Sequence, residues 1–219
     1  MKMLVVFEKC PRIRHIGHLD LMRAMQRALR RSGLPVKFSQ GFNPHLLLTF
    51  AAPLSVGMSG KREIMEVPLG ADVTEEEFLQ KINAALPPEL PCVSARIVDD
   101  KHPASMASLY AAEYEISIDP EGAPLCSAVE SLLNKESVMA LRKTKSGEKM
   151  TDIRPMIYEL SVSGENKLHC VLALCEKATC KPELLLDALT QEAGLQERPR
   201  TQIVRLQMYG ENLIPLENV

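Results

Sequence analysis

Apolar and polar positions in the first hundred residues follow the periods of strands and helices. Residues 3–8 are rich in side chains that favour strands and predict the first strand. Residues 19–31 carry apolar side chains at helical spacing, followed by a Gly and a Pro that end the helix. Further strands are predicted at residues 36–39, resuming at 46–50, and at residues 64–67 and 93–98. Thr74 forms a predicted capping box with Glu77 and begins a second helix.

The second half of the chain repeats this order of elements with one additional strand, as β-α-β-β-β-α-β. Strands are predicted at residues 113–118, 138–142, 157–162, 168–174 and 203–209, and helices at residues 125–133 and 182–193. A turn is predicted at residues 143–149, and charged, Pro and small residues predict a boundary at 99–108. The order β-α-β-β-α-β is that of a ferredoxin-like fold. The sequence therefore predicts an α+β protein with tandem ferredoxin-like halves, residues 1–100 and 109–219, each with an antiparallel sheet.

Composition excludes several classes of protein. Of the 219 residues, 46% are hydrophobic, which is enough for a globular core. No apolar run approaches the length of a membrane span and no secretion signal is evident, so we expect a cytoplasmic protein without a membrane partner. The six cysteines contain no CxxC pair, and GxGxxG, GxxxxGK[ST] and GxSxG motifs are absent. We therefore expect no metal and no cofactor.

Charge is distributed unevenly along the chain. Residues 1–45 contain nine Lys and Arg against two acidic residues, a formal charge of +7, whereas the remaining residues contain 17 basic and 26 acidic ones. A basic segment on an acidic body can steer an anionic partner to one end of a molecule.

The first predicted helix concentrates arginines on one side. Its members are Arg23, Arg27, Arg30 and Arg31. Residues three and four apart are neighbours on a helix, and guanidinium groups pair well with phosphate oxygens. Additional cations could extend this patch, namely Arg12, Arg14 and Lys37. The alternative is a solvated outer helix face, but no Glu stands four residues before these arginines to form ion pairs.

Histidines near the first helix are candidates for chemistry. His18, Asp20 and His45, together with His15, could meet at one end of a sheet and act as general acid and base or bind a metal. The alternative is that each histidine caps a helix or bonds a carbonyl group.

Two loops carry further candidates. In residues 39–45, Phe42 could stack on a base while Gln40 and Asn43 bind polar groups, or Phe42 could anchor the loop on the sheet. In the second half, Asp152 and Arg154 flank a turn and could orient a ligand or only pin the turn by an ion pair.

Several segments resemble a known family. They are GHLDLMRA at residues 17–24, RALRRSGLP at 27–35, SQGFNPH at 39–45 and DIRP at 152–155, with shorter matches at 51–57, 84–87 and 112–114. The chain resembles the bacterial radical-SAM-linked proteins, a family of unknown function. Members occur beside or fused to a radical SAM protein, so the resemblance implies a partner that supplies the iron–sulfur cluster. Members usually carry Pro-Lys where this chain has Leu46-Leu47, which removes a positive charge beside the loop.

Three functions remain open from the sequence. The first is an accessory protein that binds RNA or a phosphorylated substrate through the arginines and presents it to a radical SAM partner. The second is a metal-independent RNA endonuclease with histidine acid–base catalysis, since the tandem order also resembles that of CRISPR repeat-processing endonucleases. The third is a protein scaffold for the radical SAM partner that does not contact nucleic acid.

Overall fold

The computed structural model describes residues 1–144 and 147–219, which form two compact units. Unit 1 comprises Met1–Leu109 together with Ile214–Val219, and unit 2 comprises Tyr110–Leu213. Compared with the predicted halves, unit 1 also includes residues 101–109 and the last six residues of the chain. The centre of the turn predicted at 143–149 lies outside the described residues.

Unit 1 contains four strands and three α-helices among its described residues. They are β1 (Lys2–Lys9), α1 (His18–Arg31), β2 (Thr49–Phe50), β3 (Met58–Pro68), α2 (Glu75–Ala85), β4 (Cys92–Val98) and α3 (Ser105–Ser108). The strands pair in the order β4-β1-β3-β2, and all pairs are antiparallel. In register, Val5 lies opposite Met65 on one side and Ala95 on the other.

One face of the unit 1 sheet forms the core with α1 and α2. The buried cluster combines Met3, Val5 and Phe7 from β1 with apolar residues of both helices. Those helical residues are Leu21, Met25, Ala28, Leu29, Phe78 and Ile82. Their spacing follows the helical period, so the side of α1 opposite these residues must carry the polar side chains.

The other face of the unit 1 sheet is also covered. The buried Glu66 of β3 accepts hydrogen bonds from the backbone and hydroxyl of Ser105, both 2.6 Å, and from the Lys2 ammonium at 3.2 Å. Burial raises the pKa of Glu66, but these hydrogen bonds outweigh burial and hold the pKa below its ordinary value. Glu217 binds Arg62 of β3 at 2.6 Å, so the last residues of the chain return to this unit.

Unit 2 contains six strands and two α-helices among its described residues. They are β5 (Ala111–Ile118), α4 (Ala123–Leu133), β6 (Met139–Thr144), β7 (Gly147–Asp152), β8 (Ile157–Gly164), β9 (Lys167–Ala173), α5 (Pro182–Glu192) and β10 (Thr201–Tyr209). Four strands form an antiparallel sheet in the order β10-β5-β9-β8, while β6 and β7 form a separate hairpin.

The two faces of the unit 2 sheet differ in polarity. Along β5, Ala112, Tyr114 and Ile116 are buried, whereas Glu113 and Glu115 between them are half-buried. On that second face, Glu113 contacts His169 of β9 at 2.8 Å. Alternation with a period of two therefore gives one apolar and one polar face.

The predicted mixed α+β class with a mostly antiparallel sheet is confirmed. The strand predicted at residues 36–39 is wrong, because Val36 and Phe38 form only isolated bridges, to Leu69 and Leu46. The hairpin strand β7 was missed because its sequence, GEKMTD, is polar and lacks alternation. Among the described residues, no helix combines the length and apolar composition that crossing a membrane requires.

Candidate functional site

The structure forms an arginine-bearing surface on α1. The helix begins at His18 after Gly17 and ends at Arg31, where Gly33 adopts a φ of +69° that suits glycine after a helix end. Because the apolar side of α1 is buried in unit 1, its arginines lie on the opposite, exposed side. Arg23, Arg27 and Arg30 are therefore neighbours in solvent.

One of these arginines has a carboxylate partner. Arg23 donates to Asp20 at 3.1 Å, and both side chains are about two-thirds exposed. The absence of a Glu four residues before Arg23 did not reveal this partner, because Asp20 stands three residues before Arg23. An exposed ion pair of this kind contributes little free energy, so it competes weakly with a ligand for Arg23.

The other arginines differ in availability. Arg31 donates to the carbonyl oxygen of Ala85 at 2.8 Å and so ties α1 to the end of α2. The Arg30 guanidinium lies 5.9 Å from the centre of the Phe38 ring. Arg27 is exposed and makes no ion pair with the residues that the structure describes. Arg27 and Arg30 are therefore the two α1 arginines that have neither a carboxylate partner nor a hydrogen bond to a backbone carbonyl in the described part of the chain.

The flanking cations differ in their exposure and partners. Arg12 pairs with Glu89 at 3.4 Å, and a guanidinium nitrogen of Arg14 lies 3.5 Å from the carbonyl oxygen of Pro11. Lys37 is exposed. Arg12 and Lys37 are thus as exposed as the α1 arginines, whereas Arg14 is half-buried.

The loop of residues 39–45 is closed by its two end residues. The Ser39 backbone donates to the His45 carbonyl oxygen at 2.8 Å, and the His45 backbone donates to the Ser39 hydroxyl at 3.0 Å. The His45 Nδ1 also lies 2.7 Å from that hydroxyl. Gly41 turns the chain with a φ of +120°, which a side chain would oppose.

Contacts with α1 hold this loop beside the arginines. Gln26 donates to the carbonyl oxygen of Leu46 at 3.4 Å, and Phe38 lies beneath Arg30. The loop exposes Gln40, Phe42 and Asn43. The ring of Phe42 is fully exposed and does not anchor the loop. We call Arg23, Arg27, Arg30 and these three loop residues the arginine–loop surface.

The predicted histidine candidates have separate partners. His18 makes an edge contact with the Phe50 ring at 5.4 Å, while Asp20 binds Arg23 and His45 bonds Ser39. In residues 1–144 and 147–219, no three His, Cys, Asp or Glu side chains are grouped as a metal site would need.

The second-half candidates bond mainly to the backbone. Asp152 Oδ1 accepts from the backbone of Val138 at 2.9 Å and of Arg154 at 3.0 Å. These hydrogen bonds lower the pKa of Asp152. The Arg154 guanidinium donates to the Leu133 carbonyl oxygen at 3.2 and 3.3 Å and lies 3.5 Å from that of Ile157. Asp152 therefore holds the turn after β7 against the residue before β6, and Arg154 holds it against the end of α4.

Sequence reasoning missed two clusters in unit 2. Tyr110 stacks on Tyr158, and Glu113 is shared between His169 and the hydroxyl of Tyr209. The members of each cluster are distant in sequence and meet only through strand pairing. No local pattern predicts such meetings.

Fold and surface together define an α+β protein with an exposed arginine helix. A bacterial family described as an uncharacterized conserved protein, DUF2344, matches residues 2–182, so the chain belongs to this family. Membership of a bacterial family of unknown function, expected from the resemblance, is confirmed. No curated protein matches the sequence.

Proposed function

We propose that this protein is an accessory subunit of a radical SAM protein and binds RNA or a phosphorylated substrate through the arginine–loop surface. The observation that carries the proposal is the exposure of three guanidinium groups on one side of α1, with Arg27 and Arg30 lacking a carboxylate partner in the described residues. Guanidinium groups bind phosphate oxygens in pairs of parallel hydrogen bonds, so several on one surface suit a phosphate-bearing ligand.

The loop beside α1 favours RNA with unpaired bases. Phe42 is fully exposed at the tip of a closed loop, and Gln40 and Asn43 beside it offer amide donors and acceptors. Proteins that bind single strands combine a basic surface for the backbone with aromatic rings on which bases stack. The arginine–loop surface has both parts within one unit.

The proposal includes a tandem ferredoxin-like fold. Strand orders β4-β1-β3-β2 and β10-β5-β9-β8 support it, because in each set of four strands the first in sequence pairs with the third and the fourth. The hairpin of β6 and β7 would then be an insertion in the second half.

The link to a radical SAM protein rests on the resemblance of residues 17–24 and 39–45. These segments form the start of α1 and the adjoining loop, which are parts of the arginine–loop surface. In this scheme the partner carries the cluster chemistry and this chain positions the substrate, within the cytoplasm.

The test measures RNA affinity at several salt concentrations. A labelled single-stranded RNA is titrated with the wild type and with Arg27→Ala/Arg30→Ala. We expect the double variant to bind about tenfold or more weakly, with a salt slope reduced by about 0.7 for each lost phosphate contact. The matched control is Arg198→Ala/Arg200→Ala, which removes two exposed arginines from unit 2. Equal affinity and slope in both double variants would overturn the proposal.

The same preparations test the two alternatives. Endonuclease action requires RNA cleavage that falls in His18→Ala or His45→Ala, and cleavage unchanged in both excludes that role for them. A pure scaffold requires co-purification with a radical SAM protein that resists both nuclease treatment and loss of Arg27 and Arg30.

A further inference from the structure

Unit 2 carries a stacked pair of half-exposed tyrosines. The rings of Tyr110 and Tyr158 are parallel within 1°, with centres 5.2 Å apart, and each residue is 36% exposed. The backbone of Tyr110 is bonded on both sides, donating to Tyr209 at 2.8 Å and accepting from Leu174 at 2.9 Å. The backbone of Tyr110 is therefore held in place before any ligand arrives.

A pocket of about 440 Å³ adjoins the pair. Its other lining residues are Glu211, Asn212 and Leu213. Asn212 and Leu213 both have positive φ angles, 57° and 55°. This conformation is uncommon for a leucine, so the backbone at the pocket lies in a sparsely populated region.

The chemistry of the lining selects a class of ligand. Two stacked phenol rings offer a flat apolar surface to another planar ring. The exposed carboxylate of Glu211 accepts hydrogen bonds, and the amide of Asn212 both donates and accepts. The negative charge of Glu211 disfavours a phosphate in the pocket itself. The amino group of a base, by contrast, is a suitable hydrogen-bond donor to the Glu211 carboxylate.

We infer that this pocket binds a single nucleobase that carries an exocyclic amino group, as adenine and cytosine do. The base would stack on the tyrosine pair and donate its amino hydrogens to Glu211, with Asn212 at the remaining edge. Burial and the neighbouring phenol of Tyr110 raise the pKa of Tyr158, so the Tyr158 ring stays uncharged at neutral pH. This inference uses no residue of the arginine–loop surface and does not depend on the proposed function.

The experiment titrates the full chain with adenosine, cytidine and uridine by calorimetry, and with a short single-stranded RNA containing adenine. We expect adenosine and cytidine to bind several-fold more tightly than uridine, which lacks the amino group. Tyr158→Leu should weaken binding about tenfold or more, because stacking on an aromatic ring is worth about 1–3 kcal/mol per base. Tyr158→Phe should retain binding, and Glu211→Gln should reduce the preference over uridine.

The controls separate this site from the arginine–loop surface. Arg27→Ala/Arg30→Ala should bind adenosine as the wild type does, since a nucleoside has no phosphate. Binding of the RNA but of no nucleoside, still lost in Tyr158→Leu, would identify the ligand as a base within a strand. The inference fails if folded Tyr158→Leu binds both probes like the wild type. If that variant unfolds, an unchanged base preference in Glu211→Gln overturns the inference instead.

Discussion

The arginines of α1 and the turn of Asp152 and Arg154 were both predicted as binding candidates, but their side chains have different partners in the structure. On α1, Arg27 and Arg30 face solvent without a carboxylate partner in the described residues. In unit 2, the Arg154 guanidinium bonds backbone carbonyl oxygens, chiefly that of Leu133. A charged side chain is available to a ligand only if the fold leaves its donors unused.

Charge reversal on α1 should produce the largest effect of this comparison. Arg27→Glu/Arg30→Glu places two carboxylates where phosphates are expected to bind, and RNA affinity should fall about a hundredfold. The free energy of unfolding should change by only about 1 kcal/mol, chiefly because Arg30 near the helix end interacts favourably with the helix dipole. Binding assays and urea titrations measure the two quantities, and a cooperative loss of folding in this variant would contradict the surface role.

Removal of the Arg154 guanidinium should lower the stability of the fold and leave RNA affinity unchanged. Arg154→Ala leaves the Leu133 carbonyl oxygen without its donor and should lower the free energy of unfolding by about 2 kcal/mol. RNA affinity of the folded fraction should not change. Arg198→Ala is the control, because its exposed pair with Asp187 should contribute less than about 1 kcal/mol. Weakened RNA binding in folded Arg154→Ala would instead make the turn part of a site.

The pH dependence of stability tests whether the negative charge of Asp152 stabilises the fold, because Asn has the same shape without the charge. Hydrogen bonds from Val138 and Arg154 lower its pKa in the folded state, so its stabilisation is complete above the unfolded pKa, near 3.9. That stabilisation is lost as the pH falls through the folded pKa. Asp152→Asn should therefore be less stable than the wild type at pH 7, and the gap should narrow in acid. A difference in the free energy of unfolding between the two proteins that stays constant with pH would contradict this account.

Loss of the single ion pair on α1 should produce the smallest effect. Asp20→Asn frees Arg23 and removes a negative charge from the arginine–loop surface, so RNA affinity should rise about two- to threefold. The increase should disappear at high salt, where exposed charges are screened. Weaker binding in this variant would indicate that Asp20 contacts the ligand directly.

Segments with periodic apolar residues were predictable, because the spacing of the buried side chains indicates the type of element. Residues 19–31 were predicted as a helix and form α1, His18–Arg31, since one apolar side packs in the core. The predicted cap at Thr74 is confirmed by a hydrogen bond of 3.1 Å from the Glu77 backbone. The Glu77 side chain pairs with Lys81 instead of completing the capping box.

The remaining features depend on tertiary contacts. The strand predicted at residues 36–39 lacks a continuous partner, whereas the polar β7 is a strand because β6 lies beside it. Whether Arg154 is free or bonded depends on the end of α4, which is distant in sequence. The arginine positions on α1 follow from the helical period, but the partner of each arginine does not.

The return of Ile214–Val219 to unit 1 has a consequence for biosynthesis. On the ribosome, all of unit 2 is made before the residues that complete unit 1 emerge. Met1–Leu109 is therefore translated well before Glu217, which pairs with Arg62, and before the buried Leu216. Loss of Ile214–Val219 should therefore destabilise unit 1, although the rest of that unit is translated before unit 2.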